Sequence, residues 1–328
     1  MRYFHWTMFL LQTCLVMLST EVSAQDSLTG LQTERIMITG SPAPEPAFSK
    51  KKRQLIVGGF EGAFTAGSFW ALNKAWYSNY PKEKFHLFND WDEWMQVDKL
   101  GHVLSTYSGA RISADMWRWA GTERKKAAWI GSLTSLSYQT MVEVLDGFSE
   151  KWGFSPGDMY MNIAGAALFL GQDLAWRQQR LTLKISIFPV GYDPSVQGRA
   201  DALFGTSWTE RWLKDYNGQT YWLSCNLRSF FPDSRIPAWL NLSLGHNARL
   251  MLGGTENKWT DESGQTVDRS DIQRYRRFFL SADIDLTRIP TRSKFLKSAF
   301  SFINIIKIPA PALEWDTRGG FRGHLLYF

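Results

Sequence analysis

The spacing of apolar residues changes once along this chain, at Leu181, and that change constrains the fold more than any other feature. Before it, apolar residues recur at three- and four-residue steps, as on one face of a helix; after it, they alternate, as on a strand. The first part predicts four helices, over 55–77, 98–119, 123–145 and 156–177. The last has a clear start signal, because Ser155 can cap the free amides and Pro156 loses no useful donor at the first helical position. The first is rich in Gly58, Gly59, Gly62 and Gly67 among aromatics, the small-residue spacing that lets helices approach closely. After Leu181, the runs Leu181 to Ile187, Leu240 to Gly245 and Arg277 to Leu286 alternate apolar with polar. Such strands should set their apolar side on a core and their polar side in water. Short amphipathic helices are expected over 207–216 and 292–305, and an exposed loop over 255–273. The fold class is therefore α+β: a helical bundle over 55–180, then an antiparallel β half over 181–328. About five or six strands can be counted, fewer than the eight with which bacterial transmembrane barrels begin. Phe328 as the terminal residue favours a barrel, but His324 and Arg322 break the pattern behind it, so a sheet packed on helices is favoured over a closed barrel.

Residues 1–24 have the form of a secretory signal: Arg2 and His5, an apolar run from Met8 to Leu18, and small residues at Val22-Ser23-Ala24. Residues 25–54 read as a hydrated linker, with Pro42, Pro44 and Pro46 alternating before the basic run 50–53, which suits either anionic headgroups or a solvated helix start. Cleavage after Ala24 leaves Cys225 alone, so no internal disulfide can form. A net charge of +6 spread over many carboxylates gives no case for nucleic acid. The chain lacks a P-loop, GxGxxG, CxxC and HExxH, so no cofactor is expected. Its 16 tryptophans, among them Trp91, Trp94, Trp117, Trp119 and Trp129, suit a core, an interface or the walls of a pocket.

Ionisable residues fall in stripes on the predicted helices. Asp98, Lys99 and His102 share one segment, and Asp98 and His102, four apart, share a face. Gln139, Glu143 and Asp146 form a second stripe; Asp158, Asn162 and Gly165 form a third. If the helices are neighbours, Asp98, Lys99, His102, Glu143, Asp146, Asp158 and Asn162 meet in one polar pocket, with His102, Glu143 and Asp158 as a weak candidate metal set. The spacing fits three uses. The groups can pair to fix helix packing; Lys99 can engage a phosphate beside tryptophan walls; or His102 can act as a base in a hydrolase of lipid or envelope glycan, although no nucleophile stands beside it.

The series Asp98-Lys99-x-Gly101-His102, Glu143-x-x-Asp146-Gly147-Phe148, Gly153-Phe154-Ser155-x-Gly157-Asp158 and Asn162-x-x-Gly165 resembles the YfiM-like family of predicted periplasmic lipoproteins, and is distantly similar to VanZ-like membrane proteins. The stretches 215–224 and 307–314 look like the longer Bacteroidota form of that family. The family's activity is not settled, so the resemblance implies a location and leaves the enzyme question open. The chain departs from the lipoprotein label because Gln12 and Thr13, not small residues, precede Cys14. The expectation is an envelope protein at the outer membrane or in the periplasm of a Gram-negative bacterium, with a structural or ligand-binding role. Its expected partners are the outer membrane or its lipids; an accessory role on an outer-membrane assembly or transport protein is the third reading.

Overall fold

Four long helices precede Leu181: α1 (Lys50–Ala75), α2 (Val97–Trp119), α3 (Arg124–Gly147) and α4 (Pro156–Trp176). The computed structural model describes residues 48–75, 77–79, 81–261 and 263–328. The expected signal peptide and the Pro-rich part of the linker lie outside the described residues. α1 begins at Lys50, ahead of the boundary drawn at residue 55, so the basic run is its first turn. α2 is the central helix, with α3, α4 and the sheet all packed against it. Glycine permits that closeness: a Cβ on Gly131 of α3 would strike the Ala110 carbonyl, and one on Gly165 of α4 would strike the Val103 carbonyl. The Ser155 hydroxyl caps α4 by accepting from Asp158 N at 3.0 Å.

The β half is an antiparallel sheet in the order β1 (Leu181–Ile187), β2 (Gln219–Asn226), β3 (Leu240–Arg249), β6 (Tyr275–Ile284), β7 (Ala310–Asp316), β8 (Phe321–Tyr327). Within the stretch expected to be loop, β4 (Lys258–Thr260) and β5 (Thr266–Asp268) pair as a small hairpin. The connections hold α5 (Pro194–Phe204), α6 (Trp208–Lys214), α7 (Leu227–Phe230) and α8 (Lys294–Ile303). The sheet curls strongly, so that Tyr327 on β8 reaches Thr220 on β2, oxygen to oxygen, at 3.2 Å. It does not close into a barrel. The free edge of β1 is covered by residues 305–307: Ile185 N donates to Ile305 O at 2.9 Å and Lys307 N to Ile185 O at 2.8 Å.

The strands invert the expected polarity. On β3, Asn241, Ser243 and Asn247 are buried while Leu242 and Leu244 face outward; Ser243 is 0% exposed and Leu244 54%. On β6, Arg277, Ser281 and Asp283 are buried. Alternation defines which residues share a face but not which face is inside. Here the concave side carries the polar residues, many of which pair with one another. Lys184 Nζ meets Asp283 at 2.8 Å, the Ser224 hydroxyl donates to Asp283 at 2.6 Å, and Arg277 donates to Asn247 at 2.7 Å. At the start of β6 the arginines are held by the chain itself: Arg274 donates to Gly254 O and Arg276 to Met95 O. An apolar core does form where α2 meets the convex side of β1 and β2, around Val97, Leu104, Ile185 and Tyr221. Beyond it, Leu223, Leu242, Leu244, Leu313 and Trp315 are uncovered.

The helices repeat the inversion. α4 buries Asp158, Asn162, Gln172 and Asp173 and exposes Tyr160, Ile163, Leu174 and Trp176. α3 buries Ser132, Ser135, Gln139, Glu143 and Asp146 and exposes Trp129, Leu133 and Met141.

Candidate functional site

The charged stripes of α2, α3 and α4 turn toward one another. A strained turn delivers the first of them: Trp94, Met95 and Gln96 all have left-handed backbones, with φ of 49°, 50° and 60°. That conformation costs roughly 1–2 kcal/mol per residue for a side chain bearing Cβ. Packing holds it, since the buried Trp94 ring lies 5.4 Å from Tyr216 and 6.1 Å from Phe204, and Arg276 clasps the Met95 carbonyl and the Gln96 side chain. The turn aims the start of α2, and with it Asp98 and Lys99, at the capped start of α4.

Lys99 is the hub. Its Nζ lies 2.6 Å from Asp158, 2.7 Å from Asp90 and 3.4 Å from Asp98, and the residue is 1% exposed. Asp98 also accepts from the Tyr216 hydroxyl, and Asp90 from the Ser155 hydroxyl at 2.5 Å. His102 lies one turn deeper along α2, with Nε2 at 3.4 Å from Asp158 and Nδ1 at 3.2 Å from Asn162 Oδ1. Thr106 donates to the same Asn162 oxygen at 3.0 Å.

Asp98, Lys99, His102, Asp158 and Asn162 therefore form one cluster. Glu143 stands at its margin, 3.7 Å from His102, and accepts from Ser155 N at 3.4 Å. Asp146 sits a turn away, where the Tyr77 hydroxyl donates to it at 2.9 Å, linking α3 to the chain after α1. The tryptophans do not gather as pocket walls. Trp94 is in the core, Trp117 donates to Glu61 of α1 at 3.0 Å, Trp119 lies beside Arg53, and Trp91 and Trp129 face outward.

Three members of the cluster were not singled out as site residues. Asp90 lies in a loop without periodicity. Tyr216 comes from the β half. Ser155 showed only as a helix cap. The capping signal was the one clue available, since a serine that caps α4 is placed against whatever else lies at that helix start.

Donors of Asp98, His102 and Asp158 lie within 4.8 Å of one another, a spacing a divalent ion could use. The Lys99 ammonium already lies against both aspartates and supplies the positive charge an ion would bring. The second set, His102 with Glu143 and Asp158, is looser because of the 3.7 Å separation. Every one of these side chains is at most 2% exposed, so the cluster presents no surface to solvent.

The cluster lies in a recognisable segment. Residues 87–170 match the model of a family described as predicted periplasmic lipoprotein (DUF2279). That segment is similar to a family of envelope proteins. It starts just before Asp90 and runs into α4, so it contains the whole helical share of the cluster, Tyr216 excepted. The match supports a periplasmic or envelope location in a Gram-negative bacterium and names no activity. No curated protein matches the chain, and no solved structure does. Cys14 lies outside the described residues.

Proposed function

We propose that this chain is a membrane-seated structural protein of the outer membrane, with its apolar exterior in lipid and its charge cluster locking the helices together. The inverted polarity carries the reading: α3, α4 and the sheet bury their polar sides and expose leucine, isoleucine and aromatic residues. In water that arrangement forfeits hydrophobic stabilisation over most of the surface; in a bilayer it is the expected one. The dimensions agree. Tyr160, Ile163 and Leu174 lie on the exposed side of α4, where Tyr160 and Leu174 are separated by about 21 Å of helix, a length that fits within the roughly 30 Å hydrocarbon core. α1 has the length and hydropathy to cross a membrane, and only 22% of its most apolar stretch is buried.

One end of the bundle is basic. Lys50–Arg53 of α1, Arg118 of α2, Arg124–Lys126 of α3, and Arg177 and Arg180 beyond α4 collect there. Arg53 donates to Trp119 O at 2.6 Å, and Arg118 and Arg124 share Asp173. Such an end suits a layer of phosphate headgroups. The curled antiparallel sheet, polar inside and apolar outside, favours the outer membrane over the inner. The likeness to YfiM-like and, distantly, VanZ-like proteins agrees with a membrane seat. A hydrolase using His102 has less support, because the histidine and both carboxylates are closed off from any substrate.

Alkaline carbonate extraction of envelopes, followed by density-gradient separation, tests this. The protein should stay in the pellet and band with outer-membrane markers. Release by osmotic shock alone would refute the membrane seat, and banding with the inner membrane would refute the outer-membrane placement.

A further inference from the structure

The curled sheet fails to close between β1 and β8, and a cavity of 240 Å³ lies at that seam. Its walls come from four places: Ile187 on β1, Trp212 and Leu213 on α6, Phe302 on α8, and Phe328 at the chain end. The rings of Phe188 and Phe328, one past each edge strand, approach to 5.9 Å beside it. The lining is otherwise apolar, with Ser186 and one ionisable residue, Lys307.

Lys307 is unusual among the buried lysines. Lys99 and Lys184 each meet a carboxylate. Lys307 Nζ instead donates to two carbonyls, Ala282 O at 3.1 Å and Ile308 O at 3.2 Å, and stands 4.6 Å from the Trp222 ring. No carboxylate among the described residues lies within ion-pair distance of it, and Asp283, whose charge reaches it, is already bound by Lys184. Burial pushes its ammonium down to about 8. A buried cation without a counter-ion is costly, and an anion that arrives with its own hydrocarbon satisfies both the charge and the cavity.

We propose that the seam cavity binds a single-chain anionic amphiphile, a fatty carboxylate, with its chain against Ile187, Leu213 and Phe302 and its head toward Lys307. The volume is below the roughly 300–1,000 Å³ typical of drug-sized pockets, which fits one chain and excludes a two-tailed phospholipid. The site stands on the geometry of the seam and not on the membrane seat proposed above.

The test is equilibrium binding of labelled decanoate to the purified full-length protein held in amphipol, with decyltrimethylammonium as competitor. The expected result is saturable binding of one decanoate, weakened at least tenfold by Lys307→Met, abolished by filling the cavity with Leu213→Trp, and not displaced by the cationic competitor. Circular dichroism confirms that each variant is folded, and Ile187→Phe repeats the filling from the opposite wall should Leu213→Trp misfold. Non-saturable uptake that is equal in all variants would overturn the proposal. So would displacement by decyltrimethylammonium as effective as by unlabelled decanoate, which would mean that Lys307 takes no part.

Discussion

Replacing Lys99 by methionine should be the most damaging single change in the helical half. The substitution keeps the stem and removes only the ammonium, which lies within 3.4 Å of three carboxylates, two of them at 2.7 Å or less. None of the three can turn to water, since Asp90, Asp98 and Asp158 are all at most 2% exposed. Breaking a buried pair by removing one partner costs about 3–5 kcal/mol, because the remaining charge is left uncompensated. At about 1.5–2 °C per kcal/mol for a chain of this size, the midpoint should fall by about 5–10 °C. The assay is thermal unfolding in detergent followed by circular dichroism, with wild type and variant heated at one scan rate. Adding Asp90→Asn and Asp158→Asn to Lys99→Met should recover part of the loss, since two of the stranded charges are then gone. A Lys99→Met midpoint within about 2 °C of wild type would refute the reasoning, because it would show that the carboxylates have other counter-charges or reach water.

Close packing of glycine gives a second prediction: Gly165→Ala and Gly131→Ala should each destabilise by about 1–3 kcal/mol in the same melts, whereas Gly59→Ala, with nothing near its Cβ, should be neutral or stabilising. Leu244→Lys on the uncovered side of β3 separates lipid from water. It should cost about 2–4 kcal/mol and reduce membrane retention if that face meets hydrocarbon, against less than about 0.5 kcal/mol on a wet surface. The Lys307 ammonium is held at about 8 against an ordinary 10.5, so its contribution is fullest above about 10.5 and is lost as pH falls through about 8. Stability should therefore rise with pH between those values in wild type, and the rise should be smaller in Lys307→Met; identical slopes in pH-dependent melts would contradict this.

The helices were legible because their periodicity and caps are local. Ser155-Pro156 marks the start of α4, and the change of period marks β1 from its first residue. α5 begins with the same kind of signal, Asp193 capping ahead of Pro194, but its apolar residues follow no sustained stripe, so the pattern does not predict it. β2 carries no strand signal in the sequence because Tyr221 and Trp222 are both buried, one on each side, which erases alternation. The inversion of the sheet could not be read at all. A strand such as Leu-Asn-Leu-Ser-Leu has the same pattern whether water or lipid lies outside, and only the curl, set by contacts between distant strands, decides which side is enclosed. The convergence of Asp98, Lys99, His102 and Asp158 was readable from helix faces. Its sealing was not, because Asp90 and Tyr216 arrive from outside the helices.

The strip of chain along the free edge of β1 has a consequence for how the molecule is made. Ile185 must wait for Ile305 and Lys307, about 120 residues later in the chain, so the first strand of the sheet keeps an open edge until most of the chain has been made. Pairings this distant in sequence are slow to find one another, and a leading strand left open meanwhile can pair with other chains. Production should therefore depend on a holding chaperone during transit, and chains truncated before residue 305 should aggregate rather than accumulate as a smaller soluble form.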